Sequence, residues 1–112
     1  MLTPDAAIRK VTTAGRLPAR WVIHTVGPVY SASDDRSAIL RSAYTSSLAV
    51  ASDLGAQSVA FPLISSGVYG WPADDAVRQA VGAVRESDAE IPRVLFVAFD
   101  ARMAALLAGE VG

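Results

Sequence analysis

The sequence predicts an α/β domain: a mixed sheet of about four strands between helices, in a three-layer α/β/α arrangement. Three observations predict it. Two near-continuous apolar runs, SVAFPLI at 58–64 and RVLFVAF at 93–99, have the pattern of strands covered on both faces. Amphipathic segments with a three-to-four-residue apolar period separate the strand-like runs, which places parallel strands on right-handed crossovers. The link between the first two strand-like runs, AGRLPA, is too short for a crossover, so that pair is expected to be antiparallel.

Taken in order, IRKVTT at 8–13 alternates weakly and is polar enough for an edge strand. RWVIHTV at 20–26 is β-branched, mostly apolar, and stopped by Gly27-Pro28. In 36–54, Leu40, Ala43, Tyr44, Leu48, Ala51 and Leu54 recur at helical spacing; Ser33, Asp34 and Asp35 offer an N-cap and Gly55 a stop. The run at 58–64 contains Pro62, which cannot donate to a ladder, so pairing there is expected to be one-sided or ending. The helix expected at 73–86 carries Ala76, Val77, Ala80, Val81 and Val84 on one stripe. Pro72 suits its start, and Asp74 and Asp75 lie where the helix dipole favours negative charge. A shorter helix is expected at 101–108 after the last strand.

Composition narrows the function. A chain of 112 residues with 52% apolar and 19% charged residues fits one globular domain spanning 1–112. Ten Lys plus Arg against eleven Asp plus Glu, with the arginines scattered, argues against a nucleic-acid face. There is no cysteine, hence no disulfide and no thiolate chemistry, and His24 alone cannot build a histidine-rich metal site. No metal or cofactor is expected. No apolar run is long enough to span a membrane and no signal pattern opens the chain, so a cytoplasmic location is expected. Lys10 is the lone lysine and alanine is abundant, a composition that points to a GC-rich bacterial source.

The segment FPLISSGVYGWP at 61–72 carries the chemical signal. Ser65 to Gly70 follow the C-terminal end of an inner strand and precede a helix, the place where open α/β sheets bind ligands. Successive N–H groups in such a turn can form an anion nest, and Gly67 and Gly70 let a ligand approach the backbone. A tight strand-to-helix turn with helix-capping serines is the alternative. The segment matches neither GxxxxGK[ST], nor GxGxxG, nor the GxSxG nucleophile elbow. A hydrolase using Ser65 or Ser66 as nucleophile would need His24 as base, and His24 reads as structural, on an apolar strand.

RWVIHTVGPVY, followed after one helix by SVAFPLISSGVYGWP and then RVLFVAFD, resembles the macro domain family over about residues 4–108. These are ADP-ribose-binding modules, some of which hydrolyse O-acetyl-ADP-ribose or ADP-ribosyl esters. The resemblance implies that Ser65, Ser66, Gly67, Val68, Tyr69 and Gly70 form the second phosphate loop, their amides facing the diphosphate and Tyr69 flanking the distal ribose. Pro62 would line the pocket floor, Phe99 would lie against the adenine or its ribose, and Asp100 is a weaker candidate beside it. ADP-ribose, its derivatives and ADP-ribosylated proteins are the implied partners.

The sequence also departs from the family. A Gly-Asp-Ile type element, an Asn-Ala-Asn strand and a glycine-rich first loop have no matching positions, so no catalytic residue is carried over and an N-terminally truncated macro domain is expected. By the family pattern, the unmatched strand lies between those at 58–64 and 20–26. Either those strands pair directly, or a second chain in a homo-oligomer covers their edges, or the sequence is a fragment. Three or four charge-assisted hydrogen bonds, at about 1.5–3 kcal/mol each, barely offset the cost of association, so loop 65–70 alone implies roughly millimolar binding or none. A non-catalytic remnant acting as a weak binding or assembly module is therefore the second reading.

Overall fold

A computed structural model describes residues 8–13 and 19–112, with only the backbone described for 8–13. The expected link at 14–18 and the start of the chain lie outside the described residues. The elements follow the expected order: β1 (Ile8–Thr13), β2 (Trp21–Thr25), α1 (Ser37–Asp53), β3 (Ser58–Phe61), α2 (Ala73–Glu86), β4 (Arg93–Phe96) and α3 (Ala101–Val111). β1 and β2 are antiparallel, running from Ile8 opposite Thr25 to Thr13 opposite Trp21. β3 and β4 are parallel and in register, Ser58 opposite Arg93 and Phe61 opposite Phe96.

The expected strands form two two-stranded ladders instead of one continuous sheet. Among the described residues, β2 and β3 do not pair directly, so one edge of each lacks a ladder partner. β3 and β4 are also shorter than their apolar runs. Pro62 has no N–H to give and ends β3 at Phe61; a single bond from Val97 N–H to Phe61 C=O (2.7 Å) extends the pairing past β4.

Leu40, Tyr44 and Leu48 of α1, Val77, Ala80 and Val81 of α2, and Leu107 of α3 share one core with Phe61 and Leu63. Val59, Val94 and Phe96 pack against it from the strands. The other residues of the same strands, Ser58, Ala60, Arg93 and Leu95, are exposed, and Val97 continues that face. All three helices thus contribute to the core beneath one strand face, while the opposite face is open among the described residues. The strand runs look doubly covered in sequence because three of their outward positions, Ala60, Leu95 and Val97, are apolar too.

Local signals explain the helix ends. Gly55 takes φ 77° and its N–H donates to Ser52 C=O, while Ala56 N–H reaches Ala51 C=O, both at 3.0 Å. Together these bonds form the paired C-terminal closure that only a left-handed residue permits cheaply. At the other end of α1, Asp35 accepts from Ser37 N–H at 2.9 Å. The hydroxyl of Ser37, and then its amide, hold the Asp35 carboxyl below its ordinary range. Pro72, the N-cap of α2, offers no side-chain cap; Asp74 Oδ1 accepts from Asp75 N–H at 3.0 Å, and the Asp75 carboxylate accepts from the Trp71 indole N–H at 2.9 Å. No described helix is long and apolar enough to cross a membrane.

Tyr44 is completely buried, and burial pushes its phenol up to about 12. The unfolded chain ionises this group near 10, so folding stability is complete below that pH and is lost as pH rises toward the folded value. Urea unfolding between pH 9 and 12 is expected to lose about 2–3 kcal/mol from this group. Tyr44→Phe should flatten that part of the profile, and an unchanged slope in the variant would contradict the assignment.

Candidate functional site

Residues 62–71 leave β3, pass α1 at Tyr44, and lead into α2. Six hydrogen bonds, in four groups, fix the path. Tyr44 Oη accepts from Ile64 N–H at 2.8 Å and lies 3.5 Å from Pro62 C=O, to which it donates. Ser65 Oγ donates to Pro28 C=O at 2.6 Å. Ser66 Oγ donates to Leu63 C=O at 2.8 Å. Trp71 N–H closes the loop on Ser65 C=O at 2.9 Å, and Gly70 N–H reaches Gly67 C=O at 3.0 Å. A second chain segment buttresses the outer side, through Tyr30 N–H to Tyr69 C=O at 2.9 Å and a perpendicular contact between the Tyr30 and Trp71 rings.

Two backbone features are unusual. Gly70 has φ 75°, which glycine adopts without cost. Ser65 has φ 67°, a left-handed conformation that a side chain rarely accepts. Such a conformation persists when its surroundings over-determine it; here the Ser65 side chain and carbonyl are both bonded, and Gly27 lies against it. A Cβ on Gly27 would overlap Ile64 Cγ2 and Ser65 Oγ. The glycine of the Gly27-Pro28 pair is therefore a packing requirement of the loop as well as a strand stop.

With those bonds made, the N–H groups of Ser65, Gly67, Val68 and Tyr69 donate to no acceptor among the described residues. Gly67, Val68, Tyr69 and Gly70 are exposed, and no atom lies within 4 Å of where a Gly67 Cβ would stand. These donors lie at the C-terminal end of β3, just before the N-terminus of α2, where the helix dipole adds positive potential. The arrangement can hold an anion.

The remaining expected residues take varied positions. Pro62 is exposed next to the loop, its carbonyl facing Tyr44. Phe99 is 89% exposed past the end of β4, the same end of the parallel ladder that carries the loop. Asp100 is the N-cap of α3: its Oδ1 accepts Met103 N–H at 2.8 Å, which commits that oxygen to a structural bond. His24 is exposed on β2 opposite Lys10. Both serine hydroxyls of the loop donate to backbone carbonyls, whereas a nucleophilic serine must give its proton to a base. That geometry counts against the serine-nucleophile alternative. A depression of about 410 Å³ lies elsewhere, at the C-terminal ends of α1 and α2, lined by Asp53, Glu86 and Asp88 among others. Among the described residues no group of His, Cys, Asp or Glu is arranged to hold a metal ion.

Tyr44 is the site residue that the sequence pattern concealed. It sits in the apolar stripe of α1 and reads as core; only its hydroxyl, meeting a segment twenty residues away, reveals a second task.

The macro domain family profile matches residues 5–80. "Macro domain-containing protein SCO6450" of Streptomyces coelicolor is 55% identical over 101 residues, covering 90% of this chain and 60% of that protein. An "O-acetyl-ADP-ribose deacetylase" of Klebsiella pneumoniae is 46% identical over 100 residues, 86% of this chain and 57% of its own length. Among solved structures, the Trypanosoma brucei macrodomain in complex with ADP-ribose superposes with a TM-score of 0.80 at 35% identity, covering 94% of this chain and 45% of that one. The Oceanobacillus iheyensis macrodomain with ADP gives 0.80 at 28% identity, covering 96% and 58%. The chain thus spans a little over half the length of the curated relatives it matches.

Proposed function

The chain belongs to the macro domain family, and on that premise we propose that it binds ADP-ribose, with the diphosphate on the amides of Ser65, Gly67, Val68 and Tyr69; the Ser66 N–H instead points at Leu63 C=O, 3.4 Å away. One observation carries the reading: a loop fixed by four sets of bonds leaves four N–H donors without described acceptors. Exposed amides of this kind bond water until a phosphate oxygen replaces it, and because the loop is already ordered it loses little further entropy on binding. Tyr69 flanks the distal ribose, Pro62 floors the pocket, and Phe99 offers an aromatic face to the adenine. The ligand is free ADP-ribose, a derivative, or an ADP-ribosyl group on a protein. No nucleic acid or membrane is involved, and the compartment is the cytoplasm.

In the whole protein, the same reading extends to hydrolysis of O-acetyl-ADP-ribose or of ADP-ribosyl esters on proteins. The positions to which the family resemblance gives the catalytic role have no counterparts in this sequence. The unpaired edges of β2 and β3 among the described residues favour, as the second reading, a weak binding or assembly module in which a second copy of the chain covers them.

Calorimetric titration of the 112-residue chain with ADP-ribose tests the proposal. Saturable binding at roughly millimolar strength, weaker with AMP, is expected; absence of heat at tenfold higher concentration would overturn it. In an N-terminally extended chain that turns over ester, Ser65→Ala and Ser66→Ala are expected to retain turnover within about tenfold, since amides carry the contact. Complete loss in either variant would restore the serine-nucleophile mechanism.

A further inference from the structure

We propose that Tyr44 is a positioning residue for the anion loop: its hydroxyl clamps the strand-to-loop junction at 62–64 and so keeps the Gly67–Tyr69 amides turned outward. The proposal rests on the ADP-ribose reading for its ligand, but its geometry stands in the ligand-free protein.

The junction needs a clamp because the ladder ends there. Phe61 C=O takes the last sheet bond, from Val97 N–H. Pro62 has no N–H, and Ile64 N–H has moved beyond the reach of β4. Left alone, a partly buried amide would cost free energy and the chain would turn toward water to satisfy it. Tyr44 Oη meets it at 2.8 Å and, as an O–H, also points at Pro62 C=O, 3.5 Å away. One hydroxyl, donor and acceptor at once, spans both ends of the bend. The Tyr44 ring cannot drift, because Phe61 and Phe96 meet it edge-on at 5.1 and 6.3 Å between centroids.

A core that needed only volume at this position would be filled by phenylalanine. The hydroxyl's bonds all go to the segment that precedes Ser65, the residue held at φ 67°. Releasing Ile64 therefore frees the first hinge of the left-handed turn. The turn is what carries Ser65 C=O toward Trp71 N–H and leaves the exposed Gly67, Val68 and Tyr69 amides without a described acceptor. Ser66 Oγ on Leu63 C=O and Ser65 Oγ on Pro28 C=O hold the rest of the bend but not Ile64.

The test compares wild type, Tyr44→Phe and a control, Leu48→Ala, whose side chain is buried on the same helix and forms no hydrogen bond to the loop. Hydrogen exchange at Ile64 and amide chemical shifts at 65–69 are read in ligand-free protein, then each protein is titrated with ADP-ribose. Tyr44→Phe is expected to lose about tenfold in Ile64 protection relative to the core amides of α2, to shift the 65–69 amides, and to raise the Kd about tenfold. Leu48→Ala should lower Tm at least as much while leaving loop shifts unchanged and the Kd within about twofold. Unchanged loop shifts and Ile64 protection in Tyr44→Phe, or equal loop disturbance in Leu48→Ala, would overturn the clamp. If wild type does not bind ADP-ribose, the proposed function falls, and the ligand-free exchange and shifts still uphold or overturn the clamp.

Discussion

Gly27→Ala is expected to lower the unfolding free energy by about 1–3 kcal/mol, the range for one methyl group forced into packed surroundings. The added Cβ would overlap Ile64 Cγ2 and Ser65 Oγ. A flexible neighbour could swing away, but Ser65 Oγ is held by its 2.6 Å bond to Pro28 C=O, and Ile64 Cγ2 is a branch methyl that moves only with a stiff χ1 or with the backbone. The opposing effect, a stiffer unfolded chain, contributes only about 0.4–1 kcal/mol in favour of alanine. Overpacking wins. Because the displaced atoms belong to the anion loop, ADP-ribose affinity should fall together with stability. Urea unfolding and calorimetry on the same preparation check both, and an unchanged midpoint would mean that the Gly27 contact is not part of the folded state.

Gly67→Val is expected to behave in the opposite manner, leaving the fold alone and removing at least about tenfold in ADP-ribose affinity. Gly67 has no unusual φ and open space around its Cβ position, so stability should stay within about 0.5 kcal/mol. On the proposed binding mode a diphosphate oxygen comes through that open space to the amides, and a branched side chain would occupy it. Ser66→Ala makes the contrast: it removes the Ser66 bond to Leu63 C=O, at about 0.5–1.5 kcal/mol of stability, and changes affinity by no more than about threefold. Equal binding by the two variants would show that the amides do not carry the ligand. Gly70, at φ 75°, is unsuitable for this test because any side chain there brings backbone strain of its own.

Helices were the most legible part of the sequence, since their periodicity is local. The expected 73–86 coincides with α2, α1 differs from 36–54 by one residue at each end, and α3 runs three residues past 108. Gly55 announced the closure of α1 because only its left-handed φ satisfies two carbonyls at once. Strand ends were harder. Leu63 is as buried as a strand residue, yet Pro62 takes the chain out of the ladder first, so an apolar run outlasts its strand. Sheet continuity was not legible in the strand runs themselves, since pairing depends on neighbours distant in sequence; the gap between β2 and β3 showed only through the family pattern, which places an unmatched strand there.

At the site, loop 65–70 was visible because glycine and serine sit where an apolar strand should end. What holds the loop was not. Tyr44 hides in a helix stripe, Gly27 reads as a strand stop, and the Asp75 bond to Trp71 lies beneath an expectation of helix-dipole charge. Each is a tertiary contact made by a residue whose local role already explains its presence. Asp100 shows the reverse: a charged residue at a strand end that suggested a ligand contact spends one oxygen on the first turn of α3.

The most direct measurement is a titration of nitrogen-15-labelled protein with ADP-ribose, followed by amide resonances through the low-millimolar range. Pyrophosphate docking on the bend requires the Gly67, Val68 and Tyr69 signals to move farthest and to saturate together. Resonances of those three that stay put while others shift, or a spectrum that ignores the ligand altogether, would contradict it.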